Sequence, residues 1–272
     1  MSHQLRYAVN CSILFTELPL LERPAAARRA VFDAVEFWWP WPEQPVPADR
    51  EVDAFVSAVR DAGVQVVGLN FFAGDLAGPD LGVLSLPKRS GEFRDSLAVA
   101  ADIGERLGVG AFNALYGNRV EDASPQEQDE LATQNLVDAA ATVARIGATV
   151  LVEPVSGPKP YPLRTAADAV AVVDRVRAAG GANVAFLCDL YHLAVNGDDV
   201  DAAIAAYTSN VGHVQIADAP GRNEPGTGEL PLDRWLSGLE RAGYSGWVAC
   251  EYKPSGASAD AFDWLPRERR SA

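Results

Sequence analysis

The run Ala148-Thr149-Val150-Leu151-Val152 is almost wholly apolar and stops on an acid, Glu153, followed at once by Pro154. A short β-rich run without polar alternation reads as a parallel strand covered on both faces. The same pattern, an apolar run ending on a polar or acidic residue, recurs along the chain. The ends are Asn10, Glu36, Asn70, Asn113, Glu153, Asp189, Gln215 and Glu251. The runs predict strands at Leu5–Asn10, Asp33–Phe37, Gln65–Asn70, Gly110–Leu115, Thr149–Glu153, Asn183–Asp189, Gly212–Ile216 and Gly246–Glu251. A segment long enough for a helix lies between successive runs. This alternation is the layout of an α/β protein of the (β/α)8 TIM-barrel class, whose chemistry is built at the carboxyl ends of the strands.

The helices are legible too. Asp53 to Ala62 places Phe55, Val56 and Val59 on one face, and Thr165 to Ala179 carries Val170, Val172, Val173 and Val176. Pro125 to Ile146 is Ala-rich and opens on Ser124, an N-cap with proline at the first helical position. Helix ends run through glycine into the next strand, as at Gly63, Gly108, Gly147 and Gly243. No low-complexity linker divides the chain. Its 272 residues are close to the ~250 of one such barrel, so a single domain is expected over residues 1–272.

The segments that follow strands are long, and those that precede them are short. Phe37-Trp38-Trp39-Pro40-Trp41-Pro42 follows Glu36, and a loop from Ala217 to Gly228 follows the Gln215 strand. Long loops on one face mark the functional face of this fold. The aromatic loop fits a pocket wall, a contact in a homo-oligomer, or plain packing.

A net charge of −14 opposes general nucleic-acid binding, since like charge repels a phosphate backbone. The basic residues Arg267, Arg269 and Arg270 read as a solvated C-terminus. Cys11, Cys188 and Cys250 are an odd set without paired spacing, which reads as buried thiols of a reducing compartment. Cys188 and Cys250 directly precede Asp189 and Glu251, so they should face outward under the helices if the acids face inward. Met1 to Tyr7 has no apolar signal core and no run approaches the ~20 residues of a membrane span. The expectation is a cytoplasmic protein with no membrane partner.

Consecutive strands ending on Glu153, Asp189, Gln215 and Glu251 are the most informative constellation. Without a cation, the close acids among them would repel and shift their pKa values upward. The absence of cysteine and the amide oxygen of Gln215 point to Mg2+ or Mn2+ rather than Zn2+. His192, three residues after Asp189, is placed to move a proton between substrate oxygens or to bind one. His213, two residues before Gln215, reads as a group deeper in the barrel. Arg222 and Lys253 lie on mouth-side loops, where either could hold a substrate carboxylate. Arg222 is favoured because a guanidinium grips a carboxylate with two hydrogen bonds.

The motifs Glu153-Pro154, Asp189-Leu190-Tyr191-His192, Gly212-His213-Val214-Gln215-Ile216-Ala217-Asp218, Glu224-Pro225-Gly226-Thr227-Gly228-Glu229 and Cys250-Glu251-Tyr252-Lys253-Pro254 resemble the hydroxypyruvate isomerase family of xylose-isomerase-like barrels. The likeness extends to Val9-Asn10-Cys11-Ser12-Ile13-Leu14-Phe15 and Ala34-Val35-Glu36-Phe37, so it covers nearly the whole chain. It implies Glu153, Asp189, Gln215 and Glu251 as ligands of a divalent metal, with Glu153 and Glu251 as the acid/base pair. It also implies a small 2-oxo acid or sugar as substrate. The family often carries His-Asn at the end of the third strand. This chain has Leu69-Asn70 there, leaving Asn70 as the expected substrate contact and a histidine contact missing.

The chemistry agrees with the resemblance. Interconverting hydroxypyruvate and tartronate semialdehyde moves a proton between adjacent carbons through an enediolate. That needs charge stabilisation from a metal and a carboxylate to carry the proton. Rival readings are a ketose 3-epimerase or an isomerase of a longer sugar acid on the same scaffold, a metal-dependent endonuclease, and a non-catalytic sugar-binding barrel. The endonuclease would need more histidine ligands and a basic groove.

Overall fold

The computed structural model describes residues 2–157 and 160–271. Eight parallel strands close into one barrel, with each strand paired to its sequence neighbours and the eighth to the first. They are β1 (Arg6–Asn10), β2 (Ala34–Phe37), β3 (Gln65–Asn70), β4 (Ala111–Asn113), β5 (Thr149–Val152), β6 (Val184–Asp189), β7 (Val211–Ile216) and β8 (Trp247–Cys250). Each lies where the apolar runs place it, to within a residue or two at the ends. Closure removes the unpaired strand edges that an open sheet would present.

Alternation along the strands sorts side chains into two cores. Outward residues such as Val9, Val35, Phe112, Val150, Phe186 and Val248 join the large cluster under the helices. The barrel interior is filled by small residues, Ala8, Ala34, Val67 and Ala249 on one side and Ala111, Leu151 and Leu187 on the other. Cys188 and Cys250 belong to the outer core, as expected, and all three cysteines are buried free thiols.

The helices are α1 (Arg23–Arg29), α2 (Asp49–Ala62), α3 (Ser90–Leu107), α4 (Pro125–Ala144), α5 (Ala166–Ala178), α6 (Leu190–Asn196), α7 (Val200–Tyr207) and α8 (Leu232–Arg241). Ser124 caps α4 by accepting from the Glu127 N–H, and the Glu127 carboxylate accepts the Ser124 N–H in return. Gly63 and Gly108 end α2 and α3 in the left-handed region, at φ 66° and 69°. This conformation costs glycine nothing. None of the helices among the described residues is long and apolar enough to cross a membrane.

Two departures from strict alternation stand out. β6 is followed by two short helices, α6 and α7. β8 is followed by no α-helix among the described residues, only single 3-10 turns at Ser258–Asp260 and Arg267–Arg269. Arg270 braces this irregular tail. Its guanidinium donates to the carbonyls of Leu265 and Phe262 at 2.9 and 2.7 Å. The basic tail is therefore not uniformly solvated. Arg270 is buried, and Arg269 reaches back to the Leu5 carbonyl.

Candidate active site

The eight strand-end residues meet in one polar layer at the barrel mouth, and all eight are buried. Asn10, Glu36, Asn70 and Asn113 come from β1 to β4. Asp189 and Gln215 come from β6 and β7, and Glu153 and Glu251 stand one residue beyond the ladders of β5 and β8. The layer faces a small chamber of about 90 Å³. Its polar wall is Asn70, Glu153, His192, Arg222 and Glu251, and its apolar wall includes Leu76, Leu81, Leu115 and Val155.

Glu36 organises one side of the layer. Its carboxylate accepts from His213 Nε2 at 2.6 Å, Gln215 Nε2 at 2.8 Å and Asn10 Nδ2 at 2.9 Å. Burial alone would raise its pKa, but the His213 imidazole and these hydrogen bonds reverse the shift and hold it below the usual carboxylate range. The ionised carboxylate only accepts, so the Gln215 amide must turn its NH2 toward Glu36. Its Oε1 is then left buried without a hydrogen-bond partner. Sequence reading placed Glu36 at a strand end but not in the site. The signal that could have found it was its equivalence to the other seven ends. His213 lies inside the barrel, as its spacing from Gln215 requires.

The other acids are differently held. Glu153 Oε2 accepts from Asn113 Nδ2 at 2.6 Å. Burial, together with the neighbouring charge of Asp189, pushes the Glu153 carboxyl up to about 8. Glu251 accepts from Arg222 at 2.7 Å, Trp38 Nε1 at 3.2 Å and Asn10 at 3.2 Å. Burial still raises it well above its ordinary range, against the opposing Arg222 charge. Asp189 Oδ1 accepts the Tyr191 and His192 N–H groups and so caps α6, leaving Oδ2 buried without a hydrogen-bond partner.

His192 Nδ1 accepts the Ser156 backbone N–H at 3.0 Å. Burial lowers its pKa to about 4, so the ring is neutral and carries its proton on Nε2. That N–H faces Asp189 Oδ2 at 3.6 Å and Glu153 Oε1 at 3.9 Å. Glu153, Asp189 and His192 thus bring potential ligand atoms within 4.8 Å of one another. The tautomer makes His192 a proton donor here rather than a ligand. Two buried oxygens without a hydrogen bond, on Asp189 and Gln215, beside two carboxyls of raised pKa fit the environment that a hard divalent cation satisfies.

Arg222 lies in the loop after β7 with its backbone at φ 58°, an uncommon conformation for a side chain this large. The loop holds it there: the Lys253 N–H donates to the Arg222 carbonyl at 2.7 Å, and Asp218 accepts the N–H groups of Gly226 and Leu230. The guanidinium binds Glu251 through one nitrogen while its Nε is buried with no partner. Arg222 lines the chamber, and an unpaired guanidinium donor is a group that a carboxylate can pair with.

Lys253, the second candidate cation, lies outside the inner chamber. It is exposed and lines an outer cavity with Arg23. The missing histidine at position 69 also costs the chamber nothing, because Leu69 faces the outer core while Asn70 faces inward. The aromatic loop divides its roles. Trp38 reaches Glu251, whereas Trp39 and Trp41 stack edge-to-face on each other and Trp41 packs on Phe55.

A sequence model of the family described as xylose isomerase-like TIM barrels matches residues 24–268. A Streptomyces coelicolor protein provisionally designated a hydroxypyruvate isomerase is 57% identical over 272 residues, covering 98% of each chain. The Escherichia coli hydroxypyruvate isomerase is 30% identical, over 96% of this chain and 98% of its own. A 2-oxo-tetronate isomerase from Cupriavidus necator is also 30% identical, over 96% and 97%.

Proposed function

Because this chain belongs to the hydroxypyruvate isomerase family of xylose isomerase-like TIM barrels and is an isomerase, we propose that it interconverts hydroxypyruvate and 2-hydroxy-3-oxopropanoate. The observation that carries this choice is the inner chamber. The chamber is small, at about 90 Å³. It encloses two carboxyls, a neutral histidine and an arginine with a free buried donor. Its small size and the Arg222 cation favour a short oxo acid over a longer, uncharged ketose.

Glu153, Asp189, Gln215 and Glu251 are the residues that would hold Mg2+ or Mn2+. A bound divalent cation supplies polarisation of the carbonyl and charge for the negative oxygens that develop. Glu153 and Glu251 are the two carboxyls placed to take a proton from the hydroxymethyl carbon and return one to the adjacent carbonyl carbon. The His192 Nε2–H is positioned to donate to a substrate oxygen, so the hydroxyl proton can move as the double bond shifts. Asn70 supplies a further polar contact at the chamber wall. Arg222 Nε anchors the substrate carboxylate in preference to Lys253.

The reading is tested by following hydroxypyruvate in deuterated water with Mg2+ or Mn2+. Product should form and deuterium should enter the carbon skeleton, because a proton held by a carboxylate exchanges with solvent. If hydroxypyruvate yields neither product nor exchange while a ketose reacts, the epimerase reading replaces this one. Arg222→Ala should raise KM for hydroxypyruvate at least tenfold, since a hydrogen bond to a charged group contributes ~1.5–3 kcal/mol. It should affect the KM of an uncharged ketose much less. An unchanged KM for hydroxypyruvate would place the carboxylate elsewhere.

A further inference from the structure

Residues of the loops after β2 and β3, Trp38, Leu76 and Leu81, line one side of the inner chamber. A second cavity of about 600 Å³ lies beyond it. Trp38 and Leu76 line both spaces, so they form the partition between them. Trp38 is tied to the catalytic layer through its bond to Glu251. Leu76 has no such tie, yet the loop that carries it is firmly braced. Asp75 Oδ1 accepts the N–H groups of Ala77 and Gly78, both at 2.9 Å, which folds the chain around Leu76. The Asp75 N–H donates to Asp80, and Asp80 and Glu92 are bridged by Arg89. Asn118 donates to the Pro79 carbonyl at 2.7 Å, and the Gly82 N–H to the Ala73 carbonyl at 3.0 Å. Gly74 adopts φ +68°, where a side chain would meet Asp80 and Val83 at 2.7 and 2.8 Å. A loop with this many internal constraints holds its apolar side chain in one place.

We propose that Leu76, closing the partition with Trp38, is the residue that limits the substrate to a three-carbon skeleton; this rests on the isomerase reading of the inner site. The reacting carbons must lie beside Glu153 and Glu251. A fourth carbon bearing a hydroxyl would then have to displace Leu76 or place its hydroxyl against the apolar wall, and a buried unpaired hydroxyl is costly. Removing the Leu76 side chain would open the chamber toward the second cavity, which the cations Arg23 and Lys253 also line.

The test compares Leu76→Ala and Leu76→Phe with the parent protein, all loaded with Mn2+. Two ratios are read: kcat/KM for a four-carbon 2-oxo acid over hydroxypyruvate, and the affinity by calorimetry of threonate over glycerate, which do not react. Leu76→Ala should raise both ratios at least tenfold, the lower end of what one methylene in a fitted pocket discriminates (~10–200-fold). Leu76→Phe should lower them. Ratios unchanged within twofold in both variants would overturn the role of Leu76. If the affinity ratio shifts as expected while the parent fails to isomerise hydroxypyruvate, the partition stands and the proposed reaction falls. The loss of either variant's fold would show in its circular dichroism, and the other variant then decides.

Discussion

Turnover of hydroxypyruvate should fall at least ~100-fold in Glu153→Gln and in Glu251→Gln, the lower end of what general acid–base catalysis contributes. The two variants should differ in KM. Glu153 has one side-chain hydrogen bond, from Asn113, so its amide mainly removes a proton carrier and kcat should bear the loss. Glu251 also pairs with Arg222. A glutamine there gives up the charge that pairs with the guanidinium, so KM should change along with kcat. Divalent metal content must be measured in each variant, because both residues are proposed ligands. A variant that retains its metal and turns over like the parent would remove that glutamate from the acid/base role.

Stripping divalent cations should abolish isomerisation, and Mg2+ or Mn2+ should restore it. Full activity in verified metal-free protein would refute the requirement. Stability gives an independent readout. In the metal-free protein the Glu153 carboxyl keeps its proton up to about pH 8, whereas in the unfolded chain it ionises near its ordinary value of ~4.3. Across that interval the folded state binds more protons, so its stability falls as pH rises. Buried His192 acts in the opposite sense, because the unfolded imidazole takes up protons that the folded ring refuses. That contribution is confined to pH values below about 6.5, its ordinary value. Glu36, with its lowered pKa, contributes fully and constantly above the carboxylate range. Between pH 6.5 and 8 the Glu153 effect therefore dominates these three. The melting temperature of the metal-free protein should drop through this window, and added Mn2+ should raise it more at pH 8 than at pH 6.5. A metal-free melting temperature that climbs across the window would contradict the burial and charge environment assigned to Glu153.

The strands and much of the mouth were legible in sequence because parallel strands leave a local mark. A run such as Ala148 to Val152 is apolar on both faces, and the residue that ends it is polar because it leaves the core. Period-two alternation likewise assigned Cys188 and Cys250 to the outer layer and His213 to the barrel interior. Helix starts and stops were visible at Ser124 and Gly63 because capping depends on one or two adjacent residues.

Other features depended on contacts between distant parts of the chain. Glu36 joins the site because closure of the barrel brings it to His213 and Gln215, 177 and 179 residues away. The tautomer of His192 follows from the Ser156 N–H, 36 residues away. Lys253 and Arg222 both read as cations on mouth-side loops, with Arg222 favoured for its paired donors. They separate because Arg222 is turned inward by a positive φ while Lys253 lies outside the inner chamber. The buried Arg270 looked like a solvated tail because only the folded tail turns its guanidinium back onto the Leu265 and Phe262 carbonyls. Side-chain alternation and capping are properties of neighbouring residues, so the sequence by itself determined the barrel and the acids at its mouth. Which donor meets which acceptor is a property of closure and loop conformation, so only the tertiary structure decided how those acids are oriented and which cation faces the chamber.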